Sequence, residues 1–472
     1  MRRRLPLSCA PVNREALVSW PLRSIRELAD LSASQLLVIS FTGLVAVGWL
    51  GFLLLPGLYE GAPMNWVDAL FISASAVCVT GLSPIDVPHV LSFWGELWLL
   101  ALIQAGALGI LTFAAMVAVA AGRRSGIDVQ EAAGAFSAVL PSGTPRQMLG
   151  TILGVTLAVE AAGALVLFAL WWPGRDFLHA AWLAIFHAVS AFCNAGFSLF
   201  SDSLMGQQDR PLALLVVAGL IVVGGIGFPV LQDVRFRLRG RKRRLTLHSR
   251  LALTATAALV LGAAGFFLFF EWDRALAQLG LLDRVVNALF MSITPRTAGF
   301  NTVDYDQITN ASLYLTFALM WIGGGPASTA GGAKVTTATL LALVLWARLR
   351  GDTHVSVAGR TVPDETVNRA TGLAVGMVLI LLVFLTLMLA FETTNEAHER
   401  AQLVRFAFEV QSALSTVGLS MNLTAGLEDG SKLALVAAML LGRVGPLAVL
   451  GAMTLRSQRT AFRYAHEEVL IG

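Results

Sequence analysis

Long apolar runs alternate with short ones along this chain, and that alternation constrains its fold more than any other feature. A helix needs about 20 apolar residues to cross a bilayer. Eight runs reach that length: 35–57, 92–121, 148–172, 211–234, 251–270, 311–346, 371–391 and 433–455. Between the members of each successive pair lies a shorter run, at 66–79, 180–193, 284–294 and 403–416. These are too short to cross and read as re-entrant segments. The chain is 56% hydrophobic and 14% charged over 472 residues, against about 25% charged in soluble domains. An all-α membrane protein is expected. The three cysteines, Cys9, Cys78 and Cys193, are too few and too scattered for a disulfide framework or a zinc site.

Charge sets the orientation. Arg2, Arg3, Arg4, Arg14, Arg23 and Arg26 precede the first span, and a basic run from Arg235 to Arg250 follows the fourth. Arg348, Arg350 and Arg360 follow the sixth, and Arg456, Arg459 and Arg463 the eighth. Segment 58–90, which holds the first short run, has Glu60, Asp68 and Asp86 and neither Lys nor Arg. Segment 392–432 is rich in Glu and Asp. The positive-inside rule puts both termini in the cytoplasm and the re-entrant segments outside. The basic runs then anchor topology, and no nucleic acid is expected as a partner. No apolar stretch follows the first arginines, so a signal peptide is not expected. Residues 13–33 read as an interfacial helix on the membrane lipid.

The short runs are copies of one another. Aligned on a glycine they read FISASAVCVTGLS around Gly81, FHAVSAFCNAGFS around Gly196, LFMSITPRTAGFN around Gly299 and FEVQSALSTVGLS around Gly418. Leu or Phe follows each glycine, then Ser or Asn: Ser83, Ser198, Asn301 and Ser420. Each interval between glycines holds two long spans, so the chain reads as four helix–pore-loop–helix units around one pseudo-fourfold pore. That gives eight spans plus four pore helices. The units are expected at 35–121, 147–234, 250–346 and 365–456, with an arm at 1–34 and a tail at 457–472.

A dehydrated cation needs oxygens in place of its water shell. Backbone carbonyls supply them only where the chain is not helical, and such backbone is tolerated at membrane depth only along a water-filled cavity. Glycine permits the dihedrals required. The candidate ion-binding stretches are Val79-Thr80-Gly81, Asn194-Ala195-Gly196, Thr297-Ala298-Gly299 and Thr416-Val417-Gly418. They contain no carboxylate, which points to a monovalent, carbonyl-coordinated ion. The third copy departs from the rest: Ile293-Thr294 replaces Ser-Ala, and Pro295-Arg296 precedes the filter. Arg296 is expected near the entrance, paired with an acidic residue.

These four loops resemble those of the Trk/Ktr/HKT superfamily of potassium transporters, and the likeness runs from about residue 35 to 460. The single span before Gly81 makes the chain most similar to the KtrB-type branch. The resemblance implies potassium as the transported ion, four filter glycines at Gly81, Gly196, Gly299 and Gly418, and possible sodium stimulation. In plant relatives serine at the first of these goes with sodium selectivity, so Gly81 implies a potassium preference. It also implies a homodimer on a cytoplasmic KtrA-type nucleotide-binding ring, in the plasma membrane, with no cofactor.

Two further features match that family. The sixth span is interrupted by WIGGGPASTAGGAK, Trp321–Lys334, which cannot hold a regular helix. The resemblance makes 322–333 an intramembrane gating loop, with Gly323, Gly324, Gly325, Ser328, Thr329, Gly331, Gly332 and Lys334 as its residues. It also makes Arg443, inside the last span, an electrostatic barrier below the filter. The bland alternative for Arg443 is a salt bridge to Glu160. His187 and Glu409, each nine residues before a filter glycine, are expected to brace their helices. Asp68 reads as a helix N-terminal charge.

Other classes fit worse. No HExxH or GxSxG motif is present, so an enzyme is not expected. A carrier built from two inverted halves would not show four repeats of one sense. A sodium or unselective monovalent cation transporter of the same superfamily is the remaining alternative.

Overall fold

The computed structural model describes residues 33–123, 145–240, 244–352, 354–357, 360–392 and 399–445. The arm before residue 33 and the tail at 457–472 lie outside these.

The described chain runs four times through a long helix, a short helix and a second long segment. The first pass is α1 (Ala33–Leu54), α2 (Trp66–Cys78) and α3 (Phe93–Arg123). The second is α4 (Pro145–Trp171), α5 (Phe177–Cys193), α6 (Pro211–Ile226) and α7 (Phe228–Leu238). The third is α8 (Leu247–Phe270), α9 (Leu281–Ile293), α10 (Asn310–Trp321) and α11 (Val335–Leu349). A small hairpin, β1 (Ser356–Val357) with β2 (Arg360–Thr361), leads into the fourth pass. That pass is α12 (Asp364–Phe391), α13 (Glu399–Leu414) and α14 (Asp429–Val444).

Local chemistry starts the short helices. The Asn65 side chain accepts from Asp68 N at 2.7 Å and caps α2. Asp176 accepts from Leu178 N and His179 N and caps α5. Such caps satisfy donors that no helical carbonyl can reach.

The long helices bury little of themselves. Only 11% of the apolar stretch of α12 is inside the protein. Leu157, Leu165, Phe269, Leu379 and Val383 face outward. Apolar helices with apolar outer faces need lipid around them, so this is a multi-pass membrane protein. The buried cores lie at the short helices: Phe71, Phe186, Phe290 and Phe408 are each enclosed.

The passes close into a ring. The second long helix of each packs on the short helix of the next: α3 on α5, α6 on α9, α10 on α13, and α14 back on α2.

The eight long runs are not eight uniform rods. Among the described residues, four single helices, in α1, α4, α8 and α12, are long and apolar enough to cross a bilayer. The fourth run bends by 101° between α6 and α7. Gly227 makes the bend at φ 101°, and a Cβ there would lie 2.5 Å from Pro326 O. The chain turns aside because segment 322–334 occupies the space ahead. The sixth run is likewise divided into α10 and α11.

Candidate functional site

The four glycine loops meet at the ring's centre. Each short helix ends three to six residues before its glycine, and the residue two before the glycine is left-handed in every copy: Val79 (φ 57°), Asn194 (60°), Thr297 (70°) and Thr416 (49°). The glycines are left-handed too, at 101°, 71°, 80° and 93° for Gly81, Gly196, Gly299 and Gly418. A β-branched residue at positive φ is strained, by about 1–3 kcal/mol. Val79, Thr297 and Thr416 hold that strain in a buried setting. Reversing φ at alternate residues undoes the strand's alternation, so successive carbonyls can face one side.

Those carbonyls face inward. A Cβ on Gly81 would lie 2.5 Å from Ala195 O, one on Gly196 2.9 Å from Ala298 O, and one on Gly299 2.7 Å from Val417 O. A Cβ on Gly418 would overlap Thr80 O. Each glycine therefore backs onto the carbonyl of the following loop, and the fourth onto the first. No side chain fits between them.

The loops are braced from behind by one repeated scheme. Thr80 N donates to Ser75 O, Ala195 N to Ser190 O and Val417 N to Ser412 O, each at 2.8 Å. Gly81 N donates to Ser75 Oγ at 3.1 Å and Gly418 N to Ser412 Oγ at 3.0 Å. In the second copy Ser190 Oγ donates to Phe197 O at 2.7 Å. The divergent third copy keeps the device one residue later, where Thr294 Oγ1 donates to Phe300 O. His187 Nε2 meets Ser198 Oγ at 2.9 Å, and Glu409 accepts from Ser420 and Thr424 hydroxyls. Both side chains thus tie helix to loop. The Thr80, Thr297 and Thr416 hydroxyls are buried and have no hydrogen-bond partner among the described residues.

On one side the ring opens to a cavity of about 400 Å³. All four glycines line it, with Ser83, Ser198, Asn301 and Ser420. Behind the ring the C-terminal ends of the short helices converge. Each carries roughly half a negative charge, which favours a cation there.

Segment 322–334 closes that other side. Its ends pair, with Gly323 N donating to Ala333 O at 2.8 Å and Val335 N to Gly324 O at 2.9 Å. Gly325 N donates to Gly225 O at 2.7 Å, and Thr329 Oγ1 to Phe192 O at 3.1 Å. Ser328 Oγ turns back to Gly325 O. Gly331 lies so near Thr416 Oγ1 that a Cβ would overlap it, and Gly332 is left-handed at φ 63°. Lys334 Nζ donates to Ala330 O at 2.7 Å and to Gly331 O at 3.4 Å. Arg443, 3% exposed, donates to Thr329 O at 2.5 Å and to Gly106 O at 3.5 Å.

One alternative and one expectation need correction, and Asp68 keeps its expected place in the first turn of α2 while gaining a partner. Arg443 is not paired with Glu160: Glu160 accepts from Gln104 Nε2 at 3.2 Å, with Cys193 Sγ at 3.8 Å. The arginine reaches Thr329 O in the glycine-rich segment, a carbonyl left free of helical bonds, and Gly106 O in α3. Arg296 does not stand at the entrance. It is 7% exposed and donates to Thr256 Oγ1 at 3.3 Å, and no acidic partner appears among the described residues. It lines a small cavity with Asn194, Gly225 and Gly324, on the segment's side of the ring. Asp68 does more than charge a helix terminus, since it pairs with Lys432 Nζ at 2.8 Å.

Sequence reasoning missed a second set of glycines. A Cβ on Gly106, Gly224 or Gly442 would overlap Val77 O, Phe192 O or Leu414 O, each four residues before a filter glycine. They let the second long helix of three passes press against the short helix of the same pass. Aligning the repeat 24 to 28 residues past each filter glycine would have revealed them.

The family model of TrkH, described as cation transport protein, matches residues 30–462. The chain is 35% identical to the potassium/sodium uptake protein NtpJ of Enterococcus hirae, over 94% of this chain and 98% of that one. It is 33% identical to Ktr system potassium uptake protein B of Bacillus subtilis, over 93% and 96%. The crystal structure of the potassium transporter TrkH from Vibrio parahaemolyticus superposes with a TM-score of 0.72 at 21% identity, covering 90% of this chain and 86% of that one.

Proposed function

The chain belongs to the TrkH family of cation transport proteins, and from that premise we propose that it takes up potassium, as the ion-translocating subunit of a Ktr-type system. The observation that carries the reading is the closed ring of four glycines backed by the carbonyls of Thr80, Ala195, Ala298 and Val417. Such carbonyls replace the water shell of a monovalent ion. The ion enters through the cavity lined by the glycines, passes the ring, and meets segment 322–334 below.

That segment is the gate, and Arg443 is its latch. The guanidinium bonds Gly106 O and Thr329 O, and those two residues lie against Val77 O and Phe192 O at the C-terminal ends of α2 and α5. There it occupies ground that the helix dipoles prepare for a cation. While it holds Thr329 O, the segment blocks the path and the charge repels the ion. Movement of the segment removes both obstacles together. Lys334 holds two adjacent carbonyls of the same segment and keeps its turn tight.

The protein works in the plasma membrane with both termini in the cytoplasm, as a homodimer on a separate nucleotide-binding regulator. The Ktr system names of its relatives support a partner subunit. A second reading is supported by the relative named for potassium and sodium together, namely that both ions pass.

Potassium uptake by bacterial cells that lack their own uptake systems tests the reading, with a KtrA-type partner present. Wild type should rescue growth at low potassium, and Gly81→Ser should lose the potassium preference. If wild type moves sodium and potassium alike, the second reading replaces the first. If it moves neither, the ring is no filter.

A further inference from the structure

Three of the seams between consecutive passes are crossed by the continuous chain, and the fourth, between the last pass and the first, is not. The structure places an enclosed ion pair at that seam. Lys432 Nζ lies 2.8 Å from Asp68 Oδ1 across 364 residues of sequence, with side chains 8% and 16% exposed. Asp68 stands in the first turn of α2, the short helix that ends at the Val79-Thr80-Gly81 loop. Lys432 stands in the first turn of α14, which packs on α2.

Neither helix explains the lysine. A cation near a helix N-terminus opposes the helix dipole. Its burial also costs desolvation that only a close partner offsets. Lys432 is therefore placed for Asp68 and not for its own helix.

The aligned repeats sharpen the point. Asp68 lies thirteen residues before its glycine, and the same position holds Leu183, Val286 and Arg405 in the other copies. Arg405 also pairs with the preceding pass, through Asp306. One register position thus carries an anion in the first copy and a cation in the fourth, and each reaches backward round the ring. The Arg405 pair is exposed at 39% and 29%, whereas the Asp68 pair is enclosed.

Resting on the potassium reading above, we propose that Asp68 and Lys432 are a positioning pair for selectivity: they fix α2 against α14 and so hold the first filter loop in register with the fourth. A buried pair contributes little net stability but can specify register. The place where register matters is the contact of Gly418 with the Thr80 carbonyl. If the seam slackens, that carbonyl retreats, the ring widens on one side, and the discrimination of potassium from sodium falls.

The test is rubidium uptake into proteoliposomes holding the purified full-length chain, with sodium or potassium as competitor. Single variants leave a charge buried alone, so the deciding variant is the neutral double D68N/K432M, which leaves none. It should fold and reach the wild-type amount, yet sodium should compete on the order of tenfold better. The reversed pair D68K/K432D should restore discrimination to within about twofold of wild type. R405Q, which removes the exposed pair, should stay within about twofold. Wild-type discrimination in the neutral double would overturn the proposal, as would a reversed pair no better than that double. A wild type that admits both ions alike would overturn the potassium reading and not the pair. The pair would then be judged on total rubidium flux, which the neutral double must lower about tenfold.

Discussion

The ring and the segment beneath it are built on opposite plans. The ring repeats one device four times: a short helix, a left-handed residue, a left-handed glycine and a hydroxyl brace. Even the divergent third copy keeps the brace, through Thr294. The segment at 322–334 occurs in one pass alone among the described residues, and its ties differ at every point: Gly225 O, Phe192 O, Arg443 and Lys334. Repetition suits a site that must present equal oxygens from four sides. A part that moves cannot be fourfold, since four copies at one axis would block one another. On the proposed reading, selectivity is the symmetric property of this molecule and gating the asymmetric one.

The ring should break under the smallest added atom. Gly418→Ala puts a Cβ onto Thr80 O at a φ of 93°. Strain and overlap there should cost several kcal/mol and lower potassium uptake by about a hundredfold or more, measured as rubidium flux at matched protein amount. Gly43→Ala, where nothing lies within 4 Å, should leave flux unchanged. The gate should respond in the opposite sense. Arg443→Gln removes a charge-assisted bond to Thr329 O. Such bonds are worth roughly 1.5–3 kcal/mol, so flux without the regulator should rise about tenfold. A fall in flux would mean that Arg443 serves the path and not the latch.

How much of this was legible beforehand follows the same division. Repetition is visible in sequence: four copies announce the ring and its glycines, while the braces at Ser75, Ser190 and Ser412 emerge only from the hydrogen bonds. The left-handed turns two residues earlier were not legible, because Val79, Thr297 and Thr416 are residue types that avoid that conformation. Packing imposes it. The gate was legible only as an interrupted helix. Its partners come from two other passes, the second and the fourth, and no spacing rule links Thr329 to Phe192 or to Arg443. Lys432 was overlooked for a related reason, since one lysine at the head of an apolar run reads as a boundary marker until Asp68 is seen beside it.

A finer distinction within the gate comes from Thr329. Its backbone carbonyl takes the Arg443 bond, while its hydroxyl donates to Phe192 O at 3.1 Å. Thr329→Val keeps the first and removes the second at nearly constant volume. A neutral hydrogen bond contributes about 0.5–1.5 kcal/mol, so unregulated flux should rise roughly threefold, less than for Arg443→Gln. Equal effects from the two would mean that the segment has a single latch at Thr329 and that the arginine acts only through it.

The smallest effect expected is at Glu160. Its carboxylate is occupied by Gln104 and Cys193 and does not reach Arg443. Glu160→Gln can still accept from Gln104, so flux should stay within about twofold of wild type. In a double-mutant cycle with Arg443→Gln the two changes should add, because residues without a shared bond seldom couple strongly. A large coupling would join the carboxylate to the latch, and the second pass would then hold the gate through Glu160 as well as through Gly225 O and Phe192 O. The asymmetry drawn here between ring and gate would survive that result, but the arginine would have two masters, and its release would require the carboxylate to move with the segment.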